Sequence, residues 1–392
     1  MKKKVFLILL VLAFTFAGFS FTTVSAAEEE SDDLNTNIEE ILGELDLEEL
    51  EEYLASLTQE QRDAFGASFF EKVLSVINGD FALDYDNVFS AIAGLVFENV
   101  SALLPSFCVI CAIAILCGLL NQFKSAFSEK GTAKLIHFVG YSSILVVLLS
   151  TLTQVIGACS DGVLSMQTQM QAIFPVLLTL IATSGGTVSV AVYQPAVLCL
   201  SEIIVSVVTS VVFPLATLIC VLNMVGHLSK EIRLKNFCAL FSGIIKWVLG
   251  ISLAAFTVFL TVQGITSATY DGLSFKAAKY AISNSVPIIG GFLGSGFDLV
   301  IAGSVLIKNA VGSCGILLLV LVVASPLFQL VAYNLFLKLS AAVTEPVGDT
   351  GISDFLGSLS KTVNFFTAGL LAVSFMYFMT MLLLICSSNT LF

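Results

Sequence analysis

The chain has 392 residues, 57% of them hydrophobic and only 12% charged, with a formal net charge of −12 and a mean hydropathy of +0.98. A water-soluble domain carries about 25% charged residues to cover its surface, so a soluble globular protein is excluded, as is a disordered chain. Thirty-two phenylalanines against two histidines also argue against a metalloenzyme, and neither a metal nor a cofactor is expected.

The charge is unevenly placed. Residues 27–98 hold 20 acidic side chains against Arg62 and Lys72. The rest of the chain is weakly basic. An acidic segment of this kind repels anionic lipid and polyanions, so nucleic acid is not an expected partner.

Lys2, Lys3 and Lys4 precede an apolar run over residues 5–21, and Val24-Ser25-Ala26 supplies small residues at a cleavage position. This is the pattern of a cleavable signal peptide over 1–26, with an uncleaved signal anchor as the alternative. Either one sends residues 27–98 to the extracytoplasmic side.

Within that acidic segment, residues 28–33 read as a solvated linker. Leu34, Ile38, Ile41, Leu42, Leu45, Leu54 and Leu57 then recur at three- and four-residue steps, which makes one apolar stripe on a helix. A second helix is expected from Thr58, an N-cap with Gln61 three residues on, to about Ile77, where Asn78-Gly79-Asp80 breaks it. So short a segment has a poor core of its own. Its stripe needs the membrane body, another copy or another protein, and another protein is the favoured expectation.

Residues 99–392 form the polytopic transmembrane domain. A crossing takes about 20 apolar residues, and clear candidates are 101–120, 136–157, 237–262, 311–335 and 363–386, with a glycine-broken crossing over 286–306. Lys124, Lys130 and Lys134 follow the first, and Lys230, Arg233 and Lys235 precede 237–262. The positive-inside rule puts both loops in the cytoplasm. Residues 171–228 must then cross an odd number of times, once or three times, for a total of seven or nine transmembrane helices. In that count Glu345, Asp349 and Asp354 lie outside and Phe392 inside.

Gly250, Phe256, Phe259 and Thr261 recur at the same spacing as Gly369, Phe375, Phe378 and Thr380. That spacing is either a duplicated helix pair or chance in a chain so rich in these residues.

Residues 262–312 carry the candidate site. Pro287, Gly290, Gly291, Gly294 and Gly296 form a small-residue segment. It either lets helix backbones touch or opens the helix and lines an aqueous path. Asp298 follows. A charge inside a bilayer costs at least about 2.5 kcal/mol and normally faces a partner or water, so Asp298 is either a pore or coupling carboxylate or half of an ion pair, with Lys246 as the candidate partner. Lys308 either takes part in the site or snorkels to the cytoplasmic edge. Glu202, among apolar residues, is either a coupling carboxylate or an interfacial one.

This stretch resembles the stage III sporulation protein AE family of endospore-forming bacteria. The resemblance rests on Val262-Gln263-Gly264, Ala277-Ala278-Lys279-Tyr280-Ala281, Val286-Pro287-Ile288-Ile289-Gly290-Gly291, Asp298 and Lys308-Asn309-Ala310-Val311-Gly312. Lys246-Trp247 and Val192-Tyr193-Gln194-Pro195 extend it. It implies a mother-cell membrane protein, the large polytopic subunit of a channel-like complex. The implied partners are the other stage III sporulation membrane proteins and a forespore membrane protein across the intermembrane space, which the acidic segment would face. It carries over no catalytic residues.

Cys108, Cys111 and Cys117 have no histidine near them and read as packing residues. His137 and His227 read as interfacial, and Trp247 as a membrane anchor. The glycines at 290–296 follow no strand, and no Gly-Lys-Ser/Thr loop occurs, so an ATPase would be a separate chain. The expected fold is all-α and polytopic. The expected function is a conduit subunit acting by assembly and transport rather than catalysis. Its rivals are a stand-alone secondary transporter coupled through Asp298 and Glu202, and a non-conducting scaffold.

Overall fold

The computed structural model describes residues 38, 41–43, 45, 47–65, 68–78, 85–122, 130–228, 234–285, 290–347 and 350–387; within 263–285 and 290–299 it describes backbone alone. The signal segment 1–26, the acidic run 28–33, Pro287, Lys124, Lys230 and Arg233 lie outside the described residues.

Among the described residues every regular element is helical. Three short helices come first: α1 (Glu48–Ser56), α2 (Gln59–Phe65) and α3 (Phe69–Ile77). Long ones follow: α4 (Tyr85–Gln122), α5 (Lys130–Thr183), α6 (Thr187–Val207), α7 (Phe213–Leu228), α8 (Lys235–Ser285), α9 (Gly290–Thr344) and α10 (Thr350–Cys386). A π-helical turn, Val208–Val212, joins α6 to α7. It stands just before Pro214, whose missing N–H breaks the regular ladder there. The chain is all-α, and six stretches are long and apolar enough to cross a membrane: Val100–Cys117, Phe138–Thr183, Cys199–His227, Lys235–Val262, Val300–Thr344 and Gly351–Cys386.

Among the described residues six stretches have the length and apolarity of a crossing, against the expected seven or nine, and two features of the helices account for the difference. Residues 171–183 are the end of α5, not a new crossing, and the chain returns once through α6 and α7. The turn between them is tight, and Gly185 sits at φ 93°, a backbone region that glycine enters without a Cβ penalty. Second, 286–306 and 311–335 are not two crossings. The helix α9 runs through both, because Gly312 and Gly315 are close-packing positions and not breaks. A Cβ at Gly312 would stand 2.3 Å from Ile385 Cγ1, and one at Gly315 would stand 2.3 Å from Met381 Cε.

The passes alternate in direction. Tyr141 Oη donates to Met224 O at 2.6 Å, His227 packs on Phe355, Ser353 Oγ donates to Ala341 O, and Gly140 lies against Cys117. These contacts gather the end of α4, the start of α5, the end of α7, the end of α9 and the start of α10 at one end of the bundle. That end also carries the basic loops, and the tip of the α5–α6 turn marks the other. The α9–α10 turn, with Glu345 and Asp354, therefore lies beside the basic loops, not opposite them. The last turn of α10 lies at the far end. Glu345 and Asp354 thus lie on the side opposite to the one expected, while Asp349 and Phe392 lie outside the described residues.

Both expected copies of the possible duplication fall on helix hairpins that run in the same sense, α7–α8 and α9–α10. Their residues sit differently. Gly250 is exposed with nothing near its Cβ position, whereas a Cβ at Gly369 would stand 2.8 Å from Phe213 Cε1.

The stretch Phe138–Thr183 is 46 residues long, about 69 Å of helix at about 1.5 Å per residue. A hydrocarbon core is about 30 Å thick, so half of this helix must stand outside it. The exposed side chains say which half. On α5 they begin as Phe138, Val139, Ser143, Val146, Leu149 and Ser150, and continue as Thr153, Gln154, Asp161, Thr168, Gln171, Thr179 and Thr183, with Leu164 and Pro175 the apolar exceptions. The return pass mirrors this: Glu202, Ser206 and Ser210, interrupted by Ile203, precede Leu218, Val221 and Val225. Phe237, Leu240, Ile244, Trp247 and Ile251 on α8, and Val331, Leu335 and Leu339 on α9, complete an apolar belt at the basic-loop half, with Val258 and Val262 on α8 and Val300 and Leu306 on α9 exposed beyond it.

The helices α1–α3 pack on the projecting half. Leu50, Tyr53, Leu57, Phe65, Phe69 and Val73 are buried with Ile38 and Leu42, while Glu48, Glu49, Glu51 and Glu52 belong to the acidic outer turns. Ile41 Cδ1 lies 3.4 Å from where a Cβ at Gly303 would be. The stripe is therefore covered by the chain's own body, which corrects the expectation of another protein. The Thr58–Gln61 capping box is present: the Thr58 amide donates to Gln61 Oε1 at 3.1 Å and the Gln61 amide to Thr58 Oγ1 at 3.3 Å. The helix it starts ends at Phe65, and Ser68 caps a separate α3 by accepting from the Glu71 amide.

Tyr53 Oη and Ser165 Oγ share a hydrogen bond of 3.2 Å that ties α1 to α5. Burial pushes the Tyr53 phenol up to about 12, partly offset by that bond. An unfolded tyrosine titrates near pH 10, so the folded chain holds this proton more tightly. Its contribution is complete below about pH 10 and is lost as pH rises toward about 12. Melting in detergent at stepped pH should show wild type losing stability above about pH 10 more steeply than Tyr53→Phe. Parallel curves would refute the assignment.

Candidate functional site

Two polar clusters stand out in this apolar bundle. The first joins α5, α6, α9 and α10 in the projecting half. Gln167 and Gln171, one turn apart on α5, both donate through Nε2 to Glu202 Oε1 at 2.8 Å. The carboxylate is thus held by two amides, and its exposed edge remains open to solvent. Between them Gln169 faces inward and donates to Gly315 O at 2.8 Å. Its Oε1 and Tyr377 Oη, both buried and without a hydrogen-bond partner, line one small cavity with Met166, Met170, Leu319 and Met381.

The second cluster joins α9 to α10 at the level of the apolar belt. Buried Asn334 donates through Nδ2 to Ser360 O and to Asn364 Oδ1, each at 2.9 Å, and accepts from Ser360 Oγ at 3.1 Å. Nearby, Asn223 of α7 donates to Thr362 Oγ1 at 3.0 Å. Hydrogen bonds across helices hold membrane bundles where the hydrophobic effect does not, and these place α10 at the centre, between α9 and α7.

The other sequence candidates are scattered. Lys308 is fully buried and its Nζ donates to Ser387 O. It caps the last turn of α10, where a cation meets the negative end of the helix dipole. That is the end away from the basic loops. Lys246 is exposed beside Trp247 on the lipid face of α8. Lys246 lies in the first third of α8, near the basic loops, and Asp298 in the first turns of α9, at the other end. Their backbones are on the order of 50 Å apart along the bundle. The side chain of Asp298 lies outside the described set. Gly290, Gly291, Gly294 and Gly296 are helical, on the first turns of α9.

Sequence reasoning missed Asn334, Ser360, Asn364 and the glutamines. The Gln-Thr-Gln-Met-Gln run at 167–171 was the one available signal, since three amides inside an apolar stretch need partners. Among the described residues no group of histidine, cysteine and carboxylate side chains has the proximity to hold a metal ion.

No solved structure matches the chain. It is 26% identical over 387 residues to stage III sporulation protein AE of Bacillus subtilis (strain 168), covering 97% of each chain. The family model described as stage III sporulation protein AE matches residues 68–388, from the cap of α3 to just past the end of α10. The chain, an all-helical polytopic membrane protein, belongs to the stage III sporulation protein AE family.

Proposed function

We propose that this chain is a conduit subunit of a sporulation complex in the mother-cell membrane around the forespore. It acts by assembly and transport rather than by covalent chemistry. The observation that carries this reading is the family membership over most of the chain, joined to six apolar spans. The basic loops lie on the cytoplasmic side by the positive-inside rule. The projecting half and its acidic covering then stand in the intermembrane space, where other stage III sporulation membrane proteins and a forespore membrane partner dock. Energy, where the conduit needs it, comes from a separate ATPase chain.

The test is gentle native purification from sporulating cells, with mass and composition read by mass spectrometry. A large assembly containing other sporulation membrane proteins is the expected result. A lone monomer or dimer, stable to extraction, would overturn the reading. It would favour a stand-alone transporter coupled through Glu202, whose amide clamp is the one observation on that side.

A further inference from the structure

Within the apolar belt, one helix face is polar. The helix α10 is the bundle's central pass, and most of its side chains are buried. The stripe that is not buried runs Asp354, Ser358, Lys361, Asn364 and Ala368, at three- and four-residue steps along one side. Asp354 and Lys361 are exposed, and the others are half-buried. Asn334 of α9 hydrogen-bonds to Asn364 at the same level, and exposed Lys338 lies one turn further toward the basic loops.

The depth of Lys361 follows from the contacts. His227, at the end of α7, is level with Phe355. Lys361 stands almost two turns deeper, about 10 Å at about 1.5 Å per residue. A lysine at depth in hydrocarbon is costly, so it faces water or a partner, or reaches for the interface. Lys246 provides the contrast. Its exposed neighbours on α8 are Ile244, Trp247 and Ile251, which is a lipid face with a single lysine reaching out. The neighbours of Lys361 on its own face are Asp354, Ser358 and Asn364, which no lipid face would hold.

We propose that this face of α10 lines a hydrated groove entered from the basic-loop side, and that Lys361 makes it a path for small anionic solutes. Charged side chains along a pore select ions of opposite sign. Among the described residues of this face of α10, the charge inward of Asp354 at the mouth is Lys361. This inference rests on the conduit reading and gives it a solute class.

The experiment is site-resolved thiol labelling in inside-out vesicles from sporulating cells carrying the full chain in its complex. Ser358→Cys and Ala368→Cys report the groove, and Val331→Cys and Leu335→Cys report the lipid face of α9. The probes are an anionic sulfonate and a cationic trimethylammonium methanethiosulfonate, read by mass spectrometry so that the native cysteines stay in place. Positions 358 and 368 should react about tenfold faster or more than 331 and 335, since the reacting thiolate forms only where water reaches it. The anionic probe should be favoured over the cationic one, and Lys361→Gln should abolish that preference. Silent groove positions in an assembled complex would overturn the groove and leave the conduit reading intact. Equal rates at all four positions, or a charge preference indifferent to Lys361→Gln, would also overturn it. Loss of the complex itself is read separately, by the co-purification above.

Discussion

Replacing Asn334 with leucine is expected to destabilise the protein by about 2 kcal/mol, taking the average of about 0.6 kcal/mol measured for hydrogen bonds between membrane helices and counting each bond lost. Leucine fills a similar volume, so the loss is of bonding and not of packing. Two bonds donated by Asn334 Nδ2 disappear, to Ser360 O and Asn364 Oδ1, and the Ser360 hydroxyl loses its acceptor. The buried Ser360 hydroxyl is then left in an apolar setting, where an unmade bond costs more than a made one gains. Asn364→Leu should cost less. The Asn364 amide otherwise bonds only within its own helix, to Ser360 O and Lys361 O, so one bond between helices is lost. Thermal melting of the purified chain in detergent orders the two variants. Asn334→Leu as stable as wild type would mean that α9 and α10 are joined by packing alone.

That seam shows what the sequence could and could not reveal. Hydropathy located the apolar stretches, because a crossing is a local property of about 20 consecutive residues. Thr58 and Gln61 announced a capping box for the same reason: both partners lie within four residues. Asn334 and Ser360 are 26 positions apart, and nothing in either neighbourhood marks the pair. The apolar stripe of residues 38–57 demanded burial but could not name its cover, since a stripe fits any apolar surface. Asp298 and Lys246 looked like partners because opposite charges in lipid want each other. Only the lengths of α8 and α9 show that they stand at opposite ends. Glycine is ambiguous in the same way. Gly290, Gly291, Gly294 and Gly296 read as a break that sets a crossing over 286–306 apart from the next one, whereas one helix runs from Gly290 to Thr344.

Glycine also supplies the second large effect. Gly162→Ala is expected to destabilise by about 1–3 kcal/mol, the usual cost of overfilling a packed core. A Cβ there would stand 2.8 Å from Pro326 Cγ and 3.3 Å from Pro326 Cβ, with Leu370 Cδ1 at 3.7 Å. The proline ring is fixed to the backbone of α9 and has no rotamer into which to retreat. Relief therefore requires α5 and α9 to separate, which loosens the buried layers on either side. Two neighbours on the same helix isolate this cause. At Gly140 the obstacle is nearer, Cys117 Sγ at 2.0 Å, but a cysteine side chain can rotate about one bond, so Gly140→Ala should cost less. At Gly157 nothing lies within 4 Å, and Gly157→Ala should stabilise by up to about 1 kcal/mol through helix propensity alone. The double variant Gly162→Ala, Pro326→Ala removes the clash and should recover most of the loss. The ordering Gly157 above wild type, then Gly140, then Gly162 is the measurement. If Gly162→Ala instead raised stability as Gly157→Ala does, helix propensity would govern and the close crossing of α5 and α9 at Pro326 would be wrong.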